Sequence, residues 1–228
     1  MAFILSLETS TQVCSVALHE GDRLITTSEV HIEQSHASRL AVLIQQNLIA
    51  GECEAKDLHA VAVSAGPGSY TGLRIGTSLA KGMCFSLDIP LISIETLDLL
   101  ASQVSQMVNF EDHLLCPMID ARRMEVYCSV MDLRRNVILP VESRVIDEES
   151  FADLLVKRKI IFFGNGAEKC KTTIKHENAI FFDGLYPKAS AMGPLAFSCY
   201  AENSFEDLSS YEPFYLKSFI AKRPKTLI

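Results

Sequence analysis

The sequence predicts an α/β protein of two lobes built on one plan, each a mixed sheet with flanking helices. Short apolar strand-like runs alternate with helical patterns along all 228 residues. The run "LSLETSTQVCSVAL" near the start is answered by "PMIDARRMEVYCSVM" in the second half. Each is an apolar strand ending in an acid, Glu8 or Asp120, then a polar turn, then a strand containing Cys-Ser-Val. Glu8 to Asp120 is 112 residues and Cys14 to Cys128 is 114, so the second turn is two residues longer. The predicted lobes are 1–108 and 109–228, with the final helix and tail able to pack back on the first.

The elements follow in order. "FILSL" is a short apolar run, as in a buried strand. "QVCSVALHEGD" alternates into a Gly-containing turn, and "RLITTSEVH" is its hairpin partner. "HASRLAVLIQQNLIAG" is a helix stopped at Gly51, read as its C-cap. "LHAVAVSA" is a buried strand, followed by a helix from about Thr71 to Leu87, the strand "PLISI", and a helix over about 95–107. The second half begins with "LLCPMID", "MEVYCSVMDL" and "VILPVESRVI" as three strands. "EESFADLLVKRK" reads as a helix with acids at its start and bases at its end, matching the helix dipole. "IIFFG" and "AIFFD" are strands, and "SAMGPLAFSCYAENS" is a helix.

Composition excludes several classes. With 48% hydrophobic and 21% charged residues this is an ordinary globular chain. No apolar run approaches the ~18–20 residues that span a bilayer, so no membrane partner is expected. The start "MAFILSLETS" lacks a basic n-region and reads as a first strand rather than a signal peptide. Seven scattered cysteines without a Cys-x-x-Cys read as reduced core thiols of a cytoplasmic protein. A net charge of −7 argues against a lone nucleic-acid binder. The one basic cluster, "KSFIAKRPK", reads as a solvated end.

"SAGPGSYTGLRIGTSLAKG", residues 64–82, has the outline of a phosphate loop. No lysine stands where a P-loop needs one, and Gly72 comes one place late for Gly-x-Gly-x-x-Gly. Ser69 follows Gly68 directly, unlike the serine of a Gly-x-Ser-x-Gly elbow. Gly72, Gly76 and Ala80 instead form a row along one helix face. Interior glycines each cost about 1 kcal/mol, so the row implies close approach by another element. Two readings stay open: a neighbouring helix of the same chain, or a helix of another chain. The preceding helix favours the second, because Leu40, Leu43, Ile44 and Leu48 can cover the core while Val42 and Ile49 point elsewhere.

"ILSLETSTQVCSVAL", "GPGSYTGLRIG", "IDARRMEVY" at 119–127 and "YEPFYLK" at 211–217 resemble the TsaB family, also called YeaZ. The resemblance implies an actin-like, ribonuclease-H-like fold and a role in making threonylcarbamoyladenosine in tRNA, beside the anticodon. It implies a non-catalytic subunit that pairs through helices with a TsaD-like transferase and is joined by a TsaE-like ATPase. It also implies tRNA met mainly through the complex, and a homodimer when the partner is absent. The interface residues expected are His36, Leu40, Leu43, Gly72, Leu73, Gly76 and Ala80. No catalytic residue, metal or cofactor is expected. The catalytic relative binds metal through two histidines spaced four apart, and here His36 is followed by Leu40. His36 is therefore read as helix-start or surface chemistry. The turns "ETSTQV" and "DARRME" lack the glycines that let backbone approach phosphate. Glu8, Thr9, Asp120 and Arg122 could still mark a vestigial cleft, or the two acids could simply bond to nearby turn amides. The alternative function is a stand-alone actin-like nucleotide hydrolase, phosphotransferase or peptidase.

Overall fold

The computed structural model describes residues 2–32, 35–108 and 112–217. The tail residues 218–225 of the basic cluster, and the lobe boundary at 109, lie outside the described residues.

The first lobe opens with β1 (Phe3–Glu8), β2 (Cys14–Glu20) and β3 (Arg23–Val30), an antiparallel meander. Helix α1 (His36–Ala50) leads to β4 (Leu58–Gly66), α2 (Tyr70–Leu87) and β5 (Leu91–Glu95), with β4 parallel to both β1 and β5. Helix α3 (Thr96–Ser105) follows. The second lobe repeats the plan with β6 (Leu114–Asp120), β7 (Glu125–Met131), β8 (Val137–Val145), the short α4 (Ala152–Leu155), β9 (Ile160–Phe163) and β10 (Ala179–Phe182). Helix α5 (Gly193–Ala201) completes the regular structure. The sheet orders are β3-β2-β1-β4-β5 and β8-β7-β6-β9-β10, the same order with the same mix of antiparallel and parallel pairs. This is the two-lobed actin-like, ribonuclease-H-like arrangement.

Strands buried on both faces explain the continuous apolar runs. On one face of the first sheet, α1 and α2 bury Leu40, Leu43, Ile44, Leu48, Ala80 and Cys84 against Leu5, Val16, Val61 and Val63. On the other face Met192 and Ala196, the latter in α5, pack with Leu99 on Ile4, Ala62, Ile92 and Ile94. Helix α3 turns Leu97, Leu100, Ala101 and Val104 to Leu115, Ile119 and Phe163 of the second sheet. It is therefore shared between the lobes rather than closing the first. From α5 onward the chain packs on the first lobe: Glu206 N bonds Leu91 O at 2.9 Å, and Phe214 N bonds Ala65 O at 2.7 Å.

One local expectation is corrected. The helix expected over 148–159 shrinks to Ala152–Leu155. Asp147 Oδ1 accepts from Glu149 N and from Ser150 Oγ, a side-chain turn that competes with the helical ladder. Phe151 then takes φ +65° and buries its ring against Phe162. Helix α1 does stop at Gly51, its C-cap, with φ −88°; the left-handed residue is the next one, Glu52. Gly51 also serves close approach, since a Cβ there would lie 2.6 Å from Leu18 Cδ2.

Candidate functional site: an interlobe cleft and an outward helix pair

The two acids at the strand ends behave alike. Glu8 Oε1 accepts from Ser10 N at 2.6 Å, and Asp120 Oδ1 accepts from Arg122 N at 3.0 Å. Each closes a turn two residues on, so the turn-amide reading describes both. Their surroundings differ. Glu8 is fully buried, and its Oε2 has no partner among the described residues. Burial pushes its carboxyl up to about 7, against the hydrogen bonds from Ser10. Asp120 is exposed, and its Oδ1 also receives Lys169 Nζ. The Lys169 ammonium further donates to the carbonyls of Arg123 and Glu125, both at 2.7 Å.

Between the lobes lies a cleft of 950 Å³. Its first wall is Ser10, Thr11, Gln12 and the turn into α2, from Gly68 to Gly72. Its second is Asp120, Arg122, Tyr127, Asn165 and Lys217. Of the four expected cleft residues, Asp120 and Arg122 line it. Glu8 and Thr9 do not, because the strand end turns both side chains into the first lobe. Arg122 and Arg123 occupy consecutive left-handed conformations, φ +71° and +49°, where non-glycine residues are uncommon.

Ser69 is the N-cap of α2, with its Oγ accepting from Gly72 N at 3.3 Å. That role accounts for a serine at this turn without a nucleophile. His36 also lines the cleft and is 7% exposed. Burial lowers its pKa, opposed by hydrogen bonds with the backbone of Val13 and Thr11. Its Nε2 is unpartnered among the described residues, and Leu40, one turn on, is 1% exposed in the core. Among the described residues no group of three or more His, Cys, Asp or Glu is arranged to hold a metal ion.

The small-residue row of α2 faces inward. A Cβ added at Gly72 would collide with the carbonyl oxygen of Thr9, and one at Gly76 with Thr9 Oγ1. Ala80 is fully buried. The glycines admit the turn after β1, an element neither sequence reading considered. Leu43 and Leu73 are likewise buried inside the lobe. Of the seven residues expected at a partner face, only Leu40 reaches the groove between α1 and α2, and His36 and Gly72 reach the cleft.

The outward faces of the pair carry different residues. The groove, of 470 Å³, is lined by Ala37, Leu40, Ala41, Arg74, Ile75, Ser78 and Leu79. The same two helices expose further apolar side chains: Val42 at 44% and Ile49 at 70% on α1, and Phe85 at 84% on α2. Gly82 stands on the outward face with nothing near its missing Cβ. Sequence periodicity marked Val42 and Ile49 but missed Gly82 and Phe85, whose spacing of four and seven residues from Ser78 along one helix face was the available signal. The contacts that fix the strap after α5 against α2 were not read from the sequence. Tyr215 packs on Tyr70 with ring centroids 4.9 Å apart, and Arg74 lies 4.7 Å over the Tyr70 ring. Lys217 then crosses the cleft to pair with Glu125, holding that carboxyl below its usual range with help from Ser143.

The geometry agrees with known proteins. Residues 29–218 match the family model described as "TsaD: tRNA N6-adenosine threonylcarbamoyltransferase". A "tRNA threonylcarbamoyladenosine biosynthesis protein TsaB" from Buchnera aphidicola is 32% identical, covering 91% of this chain and 98% of the relative. The protein of the same name from Escherichia coli is 30% identical, covering 96% of each. The structure of YeaZ from Pseudomonas aeruginosa superposes with a TM-score of 0.80 at 27% identity, covering 95% of this chain and all of the other. The activator of a 2-hydroxyisocaproyl-CoA dehydratase from Clostridium difficile, 9% identical with a TM-score of 0.52, shares the fold alone. With a relative at this identity matched over nearly its whole length, the chain belongs to the TsaB (YeaZ) family.

Proposed function

We propose that this chain acts in tRNA threonylcarbamoyladenosine biosynthesis as a non-catalytic subunit that binds and activates a TsaD-like transferase. The names of its relatives support the pathway. The observation that carries the subunit role is the outward face of α1 and α2. The two helices form a groove floored by Ala37, Ala41 and Ser78, whose small side chains let a further helix approach closely, and they also expose Val42, Ile49 and Phe85. Two helices from each partner would then form a four-helix bundle. Without the transferase the same face would pair with its own symmetry mate. A TsaE-like ATPase would join the heterodimer, in the cytoplasm, and tRNA would be met mainly within that complex.

The alternative, a stand-alone actin-like hydrolase, phosphotransferase or peptidase, finds less support. Asp120 is neutralised by Lys169, Ser69 is committed to its cap, and the cleft turns present side chains where backbone should meet phosphate. Sedimentation of the chain with and without a TsaD-like protein tests the reading. A self-dimer that converts to a heterodimer is expected. Failure of the two to associate at concentrations where each is folded would overturn it.

A further inference from the structure

Helices α1 and α2 carry charge of the opposite sign to the chain as a whole. The protein's net charge is −7. Yet neither helix contains an acidic residue, and together they hold Arg39, Arg74 and Lys81. Lys81 Nζ donates to Tyr211 O at 3.0 Å, and Arg39 does not line the groove between the helices. Arg74 does, beside Ala37, Ala41, Ile75 and Leu79. Its guanidinium is exposed, lies 4.7 Å over the Tyr70 ring and donates from Nε to Tyr215 Oη at 3.4 Å. The two rings hold the planar fork in place without neutralising it. Among the described residues Arg74 is in no ion pair, and Glu212 of the strap is felt only at longer range. Glu52 and Asp88 follow the ends of the two helices and belong to neither.

We propose that the groove selects a partner helix that sets a carboxylate against Arg74, and that a second copy of this chain is its disfavoured occupant. A helix lying on Ala37, Ala41 and Ser78 covers the guanidinium that lines the same groove. A cation taken out of water must be matched by an acceptor, or its desolvation opposes association. A carboxylate meets the guanidinium fork with two parallel hydrogen bonds. A helix of the transferase can supply that carboxylate. The α1 and α2 of a second copy cannot, because they hold none. The self-pair therefore brings like charges together without compensation, whereas the heterologous bundle gains an attraction. Salt then acts with opposite sign on the two assemblies: screening weakens the heterodimer and strengthens the self-dimer.

The inference rests on the proposed function, and its test separates the two. Dissociation constants of the self-dimer, and of the heterodimer with a TsaD-like transferase, are measured by sedimentation from low to high salt. The wild-type chain is compared with Arg74→Gln and with Arg39→Gln, since glutamine keeps helix propensity. Rising salt should weaken the wild-type heterodimer and tighten the wild-type self-dimer. Arg74→Gln should weaken the heterodimer by more than about tenfold at low salt and flatten its salt dependence. The same variant should tighten the self-dimer, with little change in melting. Arg39→Gln removes an equal charge outside the groove and should leave most of the heterodimer's salt dependence in place. Equal effects of the two variants assign the attraction to net charge and overturn the pairing at Arg74. A heterodimer whose affinity ignores both salt and Arg74→Gln overturns this inference and leaves the proposed function standing. A self-dimer that weakens with salt also overturns it. A transferase that binds the folded chain at no salt concentration overturns the proposed function with it.

Discussion

Replacing Gly72 with alanine tests whether the glycines of α2 exist for the chain's own Thr9 turn. The added Cβ would collide with the Thr9 carbonyl oxygen and lie 3.3 Å from its carbon. That oxygen is backbone, and the turn carrying it is fixed: Ser10 N bonds Glu8 Oε1, and Ser69 N bonds Ser10 O, both at 2.6 Å. Relief requires α2 to move off the end of β1. Overpacking of this kind costs about 3 kcal/mol at the upper end of its usual range. Alanine returns ~1 kcal/mol of helix propensity, leaving a net loss of about 2 kcal/mol. For a chain of this size that lowers Tm by ~4–8 °C. Gly82→Ala is the internal control. Nothing lies within 4 Å of its Cβ, so only the propensity gain remains and Tm should rise by ~2–4 °C. Thermal melts of the two variants, followed by circular dichroism, read the contrast. If Gly72→Ala melts at or above the wild type while losing partner affinity, the glycine row faces another chain and the packing argument fails.

Three other outcomes follow from the same contacts. Burial holds the Glu8 carboxyl at about 7 against an ordinary 4.5, so the fold favours the neutral acid; the stability this contributes is fully present below pH ~4.5 and lost as pH rises through ~7, about 3 kcal/mol in all. Glu8→Gln should abolish that slope in denaturant titrations at pH 4.5, 6 and 8, and a variant with the wild-type slope would place the titration elsewhere. Ser69→Ala should cost ~1 kcal/mol of stability through the lost cap and leave modification largely intact, whereas a loss of orders of magnitude at normal partner affinity would mark a nucleophile. Ala41→Arg, on the exposed groove, should weaken transferase binding by more than about tenfold, as an unpaired charge at an interface centre does, with Tm unchanged; normal affinity in sedimentation would remove the groove from the interface.

The fold was legible because its signal repeats. Apolar strands, each closed by an acid and followed by Cys-Ser-Val, announced two copies of one sheet, and hydrophobic runs buried on both faces need no long-range information to be read. What the chain's linear order hides is exchange between lobes. Helix α3 follows β5 in sequence but buries Leu100 and Val104 on the second sheet. The candidate site was half legible. Asp120 and Arg122 reach the cleft because the strand end is exposed there, while the matching Glu8 is roofed over by the first lobe. The Gly72–Gly76 row correctly signalled close approach, but glycine spacing reports only that something comes near. Its neighbour is a turn some sixty residues earlier, a contact that helical periodicity cannot name. The outward side of α2 was instead marked by Gly82 and Phe85, which a core-first reading of α2 passes over.

The central claim, activation of a transferase by a subunit that does no chemistry itself, is tested most directly by a modification assay with each component omitted in turn. Purified TsaD-like and TsaE-like proteins, substrate tRNA and the threonylcarbamoyl donor are combined with the wild-type chain or its Ala41→Arg variant. The account predicts modified adenosine only when the wild-type chain and the transferase are both present, none from the chain alone, and a loss with Ala41→Arg that excess variant partly restores. Modification by this chain without the transferase, or equal modification by the transferase in its absence, would contradict it.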